Sequence, residues 1–411
     1  MFSPSPHAVT LLSASLLLGL AGCGGGGASS TPAATAATPV PAAPSSAQLA
    51  ALGKQIFSDP SLSGSGKMSC ATCHDPNNAY APSNNLAVQP GGAALTLSGT
   101  RTAPSLRYLQ FVPAFSEHFF LNASTDAGPT GGLTWDGRVN TFADQAKLPF
   151  LSANEMANAS PADFATRLQK ASYAPQLLQV FGAGVFKDGT TALNAASQAL
   201  HAFESTDASF NPYTSKYDQY LAGKVSLSTQ ELRGLALFND PAKGNCAQCH
   251  VSTPGAGGLP PQFTDHGFVN LGVPRNPEIP ANAVASYFDL GLCGPTRTDL
   301  ASHTEYCGLF MTPSLRNVAL RKSFFHNGRF HTLQDVMHFY VERDTKPEKW
   351  YPANADGSIN QFDDLPVAYR GNVDMTDAPF GRQPGAAPAL SETEIADVIV
   401  FMNTLTDGYQ P

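Results

Sequence analysis

Two segments of the chain share one form: CATCH at residues 70–74 and CAQCH at residues 246–250. In a C-x-x-C-H motif, the two thiols bond to the vinyl groups of a haem and the adjacent imidazole binds its iron. The chain is therefore predicted to carry two covalently attached haem c groups. The predicted attachment and iron-binding residues are Cys70, Cys73 and His74 in the first motif and Cys246, Cys249 and His250 in the second.

A single zinc ion held by the two C-x-x-C pairs is the alternative to two haems. Zinc would not require a histidine directly after both pairs, whereas haem attachment does. The chain has only 10 histidines among its 411 residues, so two such neighbours are rarely expected by chance. The motifs therefore favour haem.

The sequence that follows each motif is repeated as well. APSLR at residues 103–107 matches TPSLR at residues 312–316, and WDGR at residues 135–138 matches HNGR at residues 326–329. We therefore predict a mainly α fold of two tandem cytochrome c-like helical domains. The predicted domains are residues 48–222 and residues 223–411.

Helix starts follow these repeats. Thr141 with Asp144, and Thr332 with Asp335, form Thr-x-x-Asp patterns in which the threonine hydroxyl caps a helix and the acid favours its positive end. Capping boxes are also predicted at Ser228 and Ser391. No run of alternating residues predicts a long strand.

The repeat predicts that the two irons differ. Fourteen residues beyond Trp135 lies Pro149, whereas fourteen beyond His326 lies Tyr340. Proline cannot bind iron, but tyrosine can bind it as a phenolate. The first haem is therefore expected to be open on its distal side and the second to be closed by Tyr340. Met337, one helical turn earlier, could bind the second iron instead. Alternatively, Tyr340 is an ordinary buried tyrosine that does not bind iron.

Composition excludes two classes of protein. A net charge of −8 and a charged fraction of 14% argue against a nucleic-acid binder. A hydrophobic fraction of 42% is too high for a fully disordered chain, so a sizeable core is expected.

The N-terminus has the features of a bacterial lipoprotein. The apolar run LLSASLLLGLAG at residues 11–22 is too short for a membrane span and suits a signal peptide over residues 1–22. The sequence LAGC ends at Cys23 and resembles a lipobox, which predicts lipidation of Cys23; a plain signal peptide with an incidental cysteine is the alternative. Residues 23–47 are rich in Gly, Ala and Pro and are predicted to be a flexible tether.

The compartment follows from this segment. The folded part is expected in the periplasm, attached only by its lipid to a bacterial membrane, most simply the outer one. Cys293 and Cys307 are then expected to form a local disulfide, because that compartment is oxidising. A redox-active pair is the alternative, although neither cysteine belongs to a C-x-x-C motif.

These motifs, across residues 48–408, resemble the dihaem cytochrome c peroxidase family and its MauG-like branch. The resemblance implies two cytochrome c-like domains with their haems on either side of the domain interface. It implies that Trp135 relays electrons between the haems, and that Gln145, Pro149 and Glu155 surround the peroxide-binding haem. Tyr340 falls where the peroxidases carry methionine and the MauG-like branch carries tyrosine.

The resemblance also implies a calcium ion between the domains. Its expected ligands are Thr102, where the family usually has asparagine, and the backbone carbonyls of Arg321 and Ser323. Residues 75–100 contain no histidine, whereas many relatives use one there to block the first haem. The first haem is therefore expected to be open without reductive activation.

The implied function is reduction of hydrogen peroxide to water, with electrons from a small redox protein such as a c-type cytochrome or a cupredoxin. Glu155 would act as the acid and base. One alternative is peroxide-dependent oxidation of a tyrosine or tryptophan in a partner protein. A non-enzymatic dihaem electron carrier is the other, and the open first haem with Glu155 argues against it.

Overall fold

A computed structural model of the protein describes residues 43–122 and 124–411. The predicted signal peptide, Cys23 and the predicted tether as far as residue 42 lie outside the described residues. None of the described helices is long and apolar enough to cross a membrane.

The described residues form a mainly helical fold, as predicted. The helices are α1 Ser46–Phe57, α2 Cys70–Cys73, α3 Phe142–Leu151, α4 Pro161–Leu168, α5 Ala174–Phe181, α6 Gly189–Thr206, α7 Lys216–Leu221, α8 Thr229–Asn239, α9 Leu333–Glu342 and α10 Glu392–Asn403. Short 3-10 turns join many of them.

The strands are short and occur in three antiparallel pairs among the described residues. They are β1 Pro90–Gly91 with β2 Leu97–Ser98, β3 Phe120–Asn122 with β4 Thr125–Asp126, and β5 Phe268–Val269 with β6 Phe310–Met311. Each pair holds a loop in place, and none forms a layer of the core.

The predicted helix starts are confirmed. The hydroxyl of Thr141 accepts from the amide of Asp144, and that of Thr332 accepts from the amide of Asp335. Ser228 and Ser391 both begin capping boxes. These caps pair amide groups that the first turn of a helix leaves free.

The first described helix overlaps the end of the predicted tether. α1 starts at Ser46, with Ser45 as its cap and Gln48 completing a capping box. Residues 45–48 therefore supply the cap and the first turn of a helix.

One pair of crossing helices organises each half of the fold, and a glycine lies at each crossing. A Cβ on Gly53 of α1 would come within 2.0 Å of the Ala199 carbonyl oxygen of α6. A Cβ on Gly234 of α8 would come within 2.0 Å of the Asp397 carbonyl oxygen of α10. Only glycine allows the two backbones to approach this closely, so the sequence repeat is also a repeat in packing.

Residues 43–411 pack as one compact unit that contains two hydrophobic cores. The first core runs in sequence from Leu52 to Phe210, and the second from Tyr217 to Leu405. Tyr217 belongs to the second core because its ring packs on Phe263 and Phe401, with centroids 5.5 and 5.4 Å away. The change from the first core to the second therefore lies between Phe210 and Tyr217, and the domain boundary at residue 223 stays a prediction.

Candidate haem sites

The first motif forms α2, with His74 directly after it. Nδ1 of His74 lies 3.2 Å from the carbonyl oxygen of Tyr80. A carbonyl can only accept, so Nδ1 carries the proton and Nε2 is left free to bind a metal. Burial lowers the pKa of His74 to about 4, which keeps the imidazole neutral, as an iron ligand must be.

The second motif repeats this arrangement. Cys246 begins a 3-10 turn, and Nδ1 of His250 lies 3.0 Å from the carbonyl oxygen of Phe263. Burial lowers the pKa of His250 as well. Both imidazoles are therefore held in the tautomer that presents Nε2.

The four motif cysteines do not form one metal site. They are free thiols, and the described residues contain no group of three or more His, Cys, Asp or Glu side chains that could hold a metal ion. Burial raises the pKa of Cys73 to about 11 and that of Cys246 to about 12. The two C-x-x-C pairs are therefore not brought together among the described residues, as one shared zinc site would require.

A cavity with mainly apolar walls lies beside the second motif and extends towards the first. It is lined by Cys246, Cys249 and His250, by Met337 and Tyr340, and by Trp135 and Pro104. Paired thiols, a neutral imidazole and apolar walls fit a covalently attached haem. The residues present therefore suit the predicted cofactor.

Tyr340 and Met337 both face this cavity from α9. The Tyr340 ring stacks between Phe325 and Phe380, with centroids 5.8 and 5.6 Å away. Burial, with the nearby thiols of Cys249 and Cys246 adding to it, raises the pKa of the phenol. The phenol is thus close enough to the haem-attachment cysteines for their charges to affect it, and Met337 lines the same space one turn earlier.

The predicted distal residues of the first site lie together around the end of α3. Gln145 and Pro149 occupy successive turns of that helix, and the carbonyl oxygen of Pro149 accepts from the amide of Met156 at 3.1 Å. This hydrogen bond turns the chain back after α3 and brings Glu155 beside the helix end.

Glu155 has a raised pKa although its side chain keeps some exposure. Burial raises the pKa, while a hydrogen bond with Ser152 and the charge of Arg138 partly oppose that rise. The carboxylate in turn raises the pKa of the Cys73 thiol. Glu155 therefore lies within electrostatic reach of the first motif, as a distal acid should.

Trp135 lies between the two halves. Its indole Nε1 donates to the carbonyl oxygen of Thr102 at 2.8 Å, and its own carbonyl oxygen accepts from the amide of Met311 at 3.0 Å. The amide of Thr102 donates to the carbonyl oxygen of His326 at 2.7 Å. Backbone groups from both halves therefore fix the tryptophan.

The sequence reasoning missed an ionic network beside Trp135. Asp136 is fully buried and contacts Arg101 at 2.6 Å and Arg138 at 2.8 Å, and Arg101 also contacts Asp289 at 2.6 Å. Burial opposes ionisation of Asp136, but Arg101 and Arg138 outweigh it and hold its pKa below the usual range. The acid and the arginine of WDGR were the available signal, but Arg101 and Asp289 lie far from them in sequence.

The guanidinium group of Arg321 lies among the residues expected to bind calcium. The Thr102 hydroxyl donates to the carbonyl oxygen of Ala87 at 2.8 Å. The guanidinium of Arg321 donates to the carbonyl oxygens of Ala103 at 3.0 Å and Ser323 at 3.4 Å. One expected calcium ligand, the Ser323 carbonyl, thus already accepts from a cation, so a second cation there would be repelled.

Cys293 and Cys307 are joined in a disulfide. It closes the loop between β5 and β6, where Gly291 forms backbone bridges to Cys307 and Leu309. Neither sulfur lines the haem cavity, so the pair holds a loop together.

Two separately packed C-x-x-C-H sites, each with a neutral histidine, define a dihaem c-type protein. The chain belongs to the di-haem cytochrome c peroxidase family and is a peroxidase-type oxidoreductase with two c-type haems. A family model described as di-haem cytochrome c peroxidase matches residues 47–226.

Relatives cover most of the chain. It is 33% identical to the methylamine utilization protein MauG of Paracoccus denitrificans, over 90% of this chain and 92% of the relative. The solved diheme peroxidase BthA of Burkholderia thailandensis is 39% identical, covers 88% of this chain and 86% of its own, and has a TM-score of 0.78. A variant of BthA in which tyrosine is replaced by methionine has a TM-score of 0.79 at the same identity, over 89% of this chain and 87% of its own.

Proposed function

We propose that this chain reduces hydrogen peroxide to water at the first haem, with electrons that a c-type cytochrome or a cupredoxin delivers through the second. The observation that carries this assignment is the difference between the two distal sides. The first has Pro149 and an acid with a raised pKa, Glu155, and the second has Tyr340 and Met337. Relatives named as cytochrome c peroxidases support the donor class.

A bound c-type haem supplies the iron that holds peroxide and passes electrons to it. The chain supplies the path of the proton. Glu155, as a carboxylate, takes a proton from one oxygen of peroxide and returns it to the other oxygen, which then leaves as water. The raised pKa places the carboxyl closer to neutrality, where such a group both accepts and donates.

Gln145 and Pro149 complete the first site in this proposal. Gln145 lies one turn before Pro149 on α3, and its amide can donate to a bound peroxide oxygen. Pro149 has no donor atom, so this side of the first haem stays open to peroxide. The proposed residues are each set on a helix or directly after it, which fixes their positions.

Tyr340 is the proposed distal ligand of the second haem. Its ring is held between Phe325 and Phe380, and its phenol lies near the thiols of the second motif. A phenolate is a hard ligand that favours oxidised iron. The second haem is then suited to store and pass charge, which travels through Trp135 to the first.

Peroxide-dependent oxidation of a tyrosine or tryptophan in a partner protein is the second candidate. Two observations favour it: Tyr340 lines the haem cavity, and the chain is 33% identical to a MauG protein. In both candidates the chain works in the periplasm, and lipid on Cys23 attaches it to the outer membrane.

An anaerobic titration of the holoenzyme with peroxide separates the candidates. The haem spectrum is followed first, and reduced cytochrome c is then added. Rapid oxidation of the cytochrome supports the peroxidase. A long-lived oxidised state that reacts slowly with cytochrome supports protein oxidation, and no spectral change with peroxide contradicts both.

A further inference from the structure

The guanidinium group of Arg321 has no carboxylate partner among the described residues. Its hydrogen bonds go to the carbonyl oxygens of Ala103 and Ser323. The residue is half-buried. By contrast, Arg107 pairs with Asp407 at 3.0 Å.

Arg321 lies where both haem sites can feel its charge. It lines the cavity that also contains His250 and Trp135. Its guanidinium also donates to the carbonyl oxygen of Ala103 at 3.0 Å, in the APSLR segment that follows the first motif. The group is therefore a cation between the two motifs, within electrostatic reach of the first.

An uncompensated cation in such a place needs an anion. The described residues place no carboxylate against Arg321. A bound haem would supply one, because it carries two propionate groups. A calcium ion at the expected site would add a second positive charge beside this guanidinium, and the two cations would repel each other. The guanidinium already uses the Ser323 carbonyl, and the Thr102 hydroxyl donates elsewhere.

We propose that the guanidinium group of Arg321 is the fixed cation between the two haem sites, where it takes the place of a calcium ion and pairs with a haem propionate. The cation is then part of the chain and cannot be removed by a chelator. This assignment does not depend on the electron donor or on the reaction that the haems carry out.

Metal content is the first test. The holoenzyme is dialysed against calcium-free buffer and its calcium and iron are measured by inductively coupled plasma mass spectrometry. We expect iron for two haems and only substoichiometric calcium, with unchanged haem spectra and reduction potentials after treatment with EGTA. One retained calcium ion per chain, or a change in the reduction potential of either haem after EGTA treatment, would overturn the proposal.

Redox titration of charge variants is the second test. A positive charge stabilises the reduced state of a nearby haem, so Arg321→Gln should lower the reduction potential of the first haem, and that of the second by less. Arg321→Lys keeps the charge and should restore most of the shift. Lys322→Gln removes an exposed charge from the next residue and serves as the matched control with unchanged potentials. If Arg321→Gln folds normally and both of its reduction potentials equal those of the wild type, the assignment is refuted.

Discussion

The indole Nε1 of Trp135 donates a 2.8 Å hydrogen bond to the carbonyl oxygen of Thr102. Trp135 precedes α3 in the first half, and the amide of Thr102 donates to His326 in the second. The side chain that lies between the two motifs is therefore held by a backbone segment that itself bridges the halves. This arrangement keeps the ring at one distance and orientation, as a relay between fixed haems requires.

Replacement of Trp135 by phenylalanine should slow electron transfer between the haems. The variant loses the hydrogen bond to Thr102 and the more easily oxidised indole. We expect the transfer rate to fall by about tenfold or more, the factor that ~1.4 kcal/mol of added barrier produces. The lost hydrogen bond should cost about 1 kcal/mol of unfolding free energy. Stopped-flow spectroscopy of the half-reduced holoenzyme measures the rate.

Trp350 offers the matched control for this experiment. It is the other tryptophan of the chain, and its buried Nε1 has no hydrogen-bond partner among the described residues. Trp350→Phe should leave the rate between the haems unchanged. An equal loss of rate in both variants would remove Trp135 from the relay.

Replacement of Glu155 by glutamine should slow peroxide consumption by about 10²- to 10⁴-fold, the usual contribution of a positioned acid and base. Glutamine keeps the shape of the side chain but cannot exchange the proton. Glu348→Gln, an exposed acid away from both motifs, is the control with unchanged turnover. Near-normal peroxide consumption in Glu155→Gln would show that another group moves the proton.

The pH dependence of peroxide reduction should report the same carboxyl. Glu155 must be ionised to accept a proton, so the rate should fall as pH decreases through its raised pKa. The hydrogen bond with Ser152 lowers that pKa. Ser152→Ala should therefore move the acidic limb of the pH–rate profile to higher pH. A limb that does not move would assign it to a different group.

The ligand of the second haem should be visible in its spectrum. If the phenolate of Tyr340 binds the iron, Tyr340→Phe changes the absorption and electron paramagnetic resonance spectra of the ferric second haem. Met337→Leu, which keeps an apolar side chain on the same helix, should leave both spectra as they are. Changed spectra in Met337→Leu but not in Tyr340→Phe would make the methionine the ligand.

Glu204 should make the protein less stable as pH rises. It is buried in α6, its Oε2 has no hydrogen-bond partner in the described part of the chain, and burial raises its pKa to about 8. The unfolded chain releases this proton near pH 4.5, whereas the folded protein keeps it until about pH 8. The contribution of Glu204 to the unfolding free energy therefore falls as pH increases across that interval.

Thermal unfolding of the holoenzyme as a function of pH tests this prediction. Glu204→Gln should have a higher melting temperature than wild type above neutrality and a similar one near pH 4.5. Glu204→Met is a second variant, since Met402 occupies the corresponding place in α10, directly after Phe401 as Glu204 follows Phe203. The same difference from wild type at all pH values would rule out titration of Glu204 as the cause.

The haem sites could be predicted from sequence because their chemistry is local. Haem attachment places two cysteines and a histidine within five residues. Because CATCH recurs as CAQCH, the sequence also predicted two tandem haem domains. Helix caps such as Thr141 and Thr332 were equally readable, because the capping residue and the amide it binds lie in the same turn.

Contacts between distant segments could not be predicted in this way. The network of Arg101, Asp136 and Asp289 joins three loops that only the folded chain brings together. The position of Tyr217 in the second core depends on rings far along the chain. Arg321 was expected to offer its carbonyl to calcium, whereas its long side chain reaches the neighbouring carbonyls itself.

The most direct test of the central claim is the stoichiometry and rate of peroxide reduction by the holoenzyme with reduced c-type cytochrome, followed by stopped-flow absorption. We expect rapid oxidation of two cytochrome molecules for each peroxide consumed, and loss of this reaction in Glu155→Gln with both haems still attached. A holoenzyme that consumes no peroxide, or whose peroxide consumption is the same in Glu155→Gln, would contradict it.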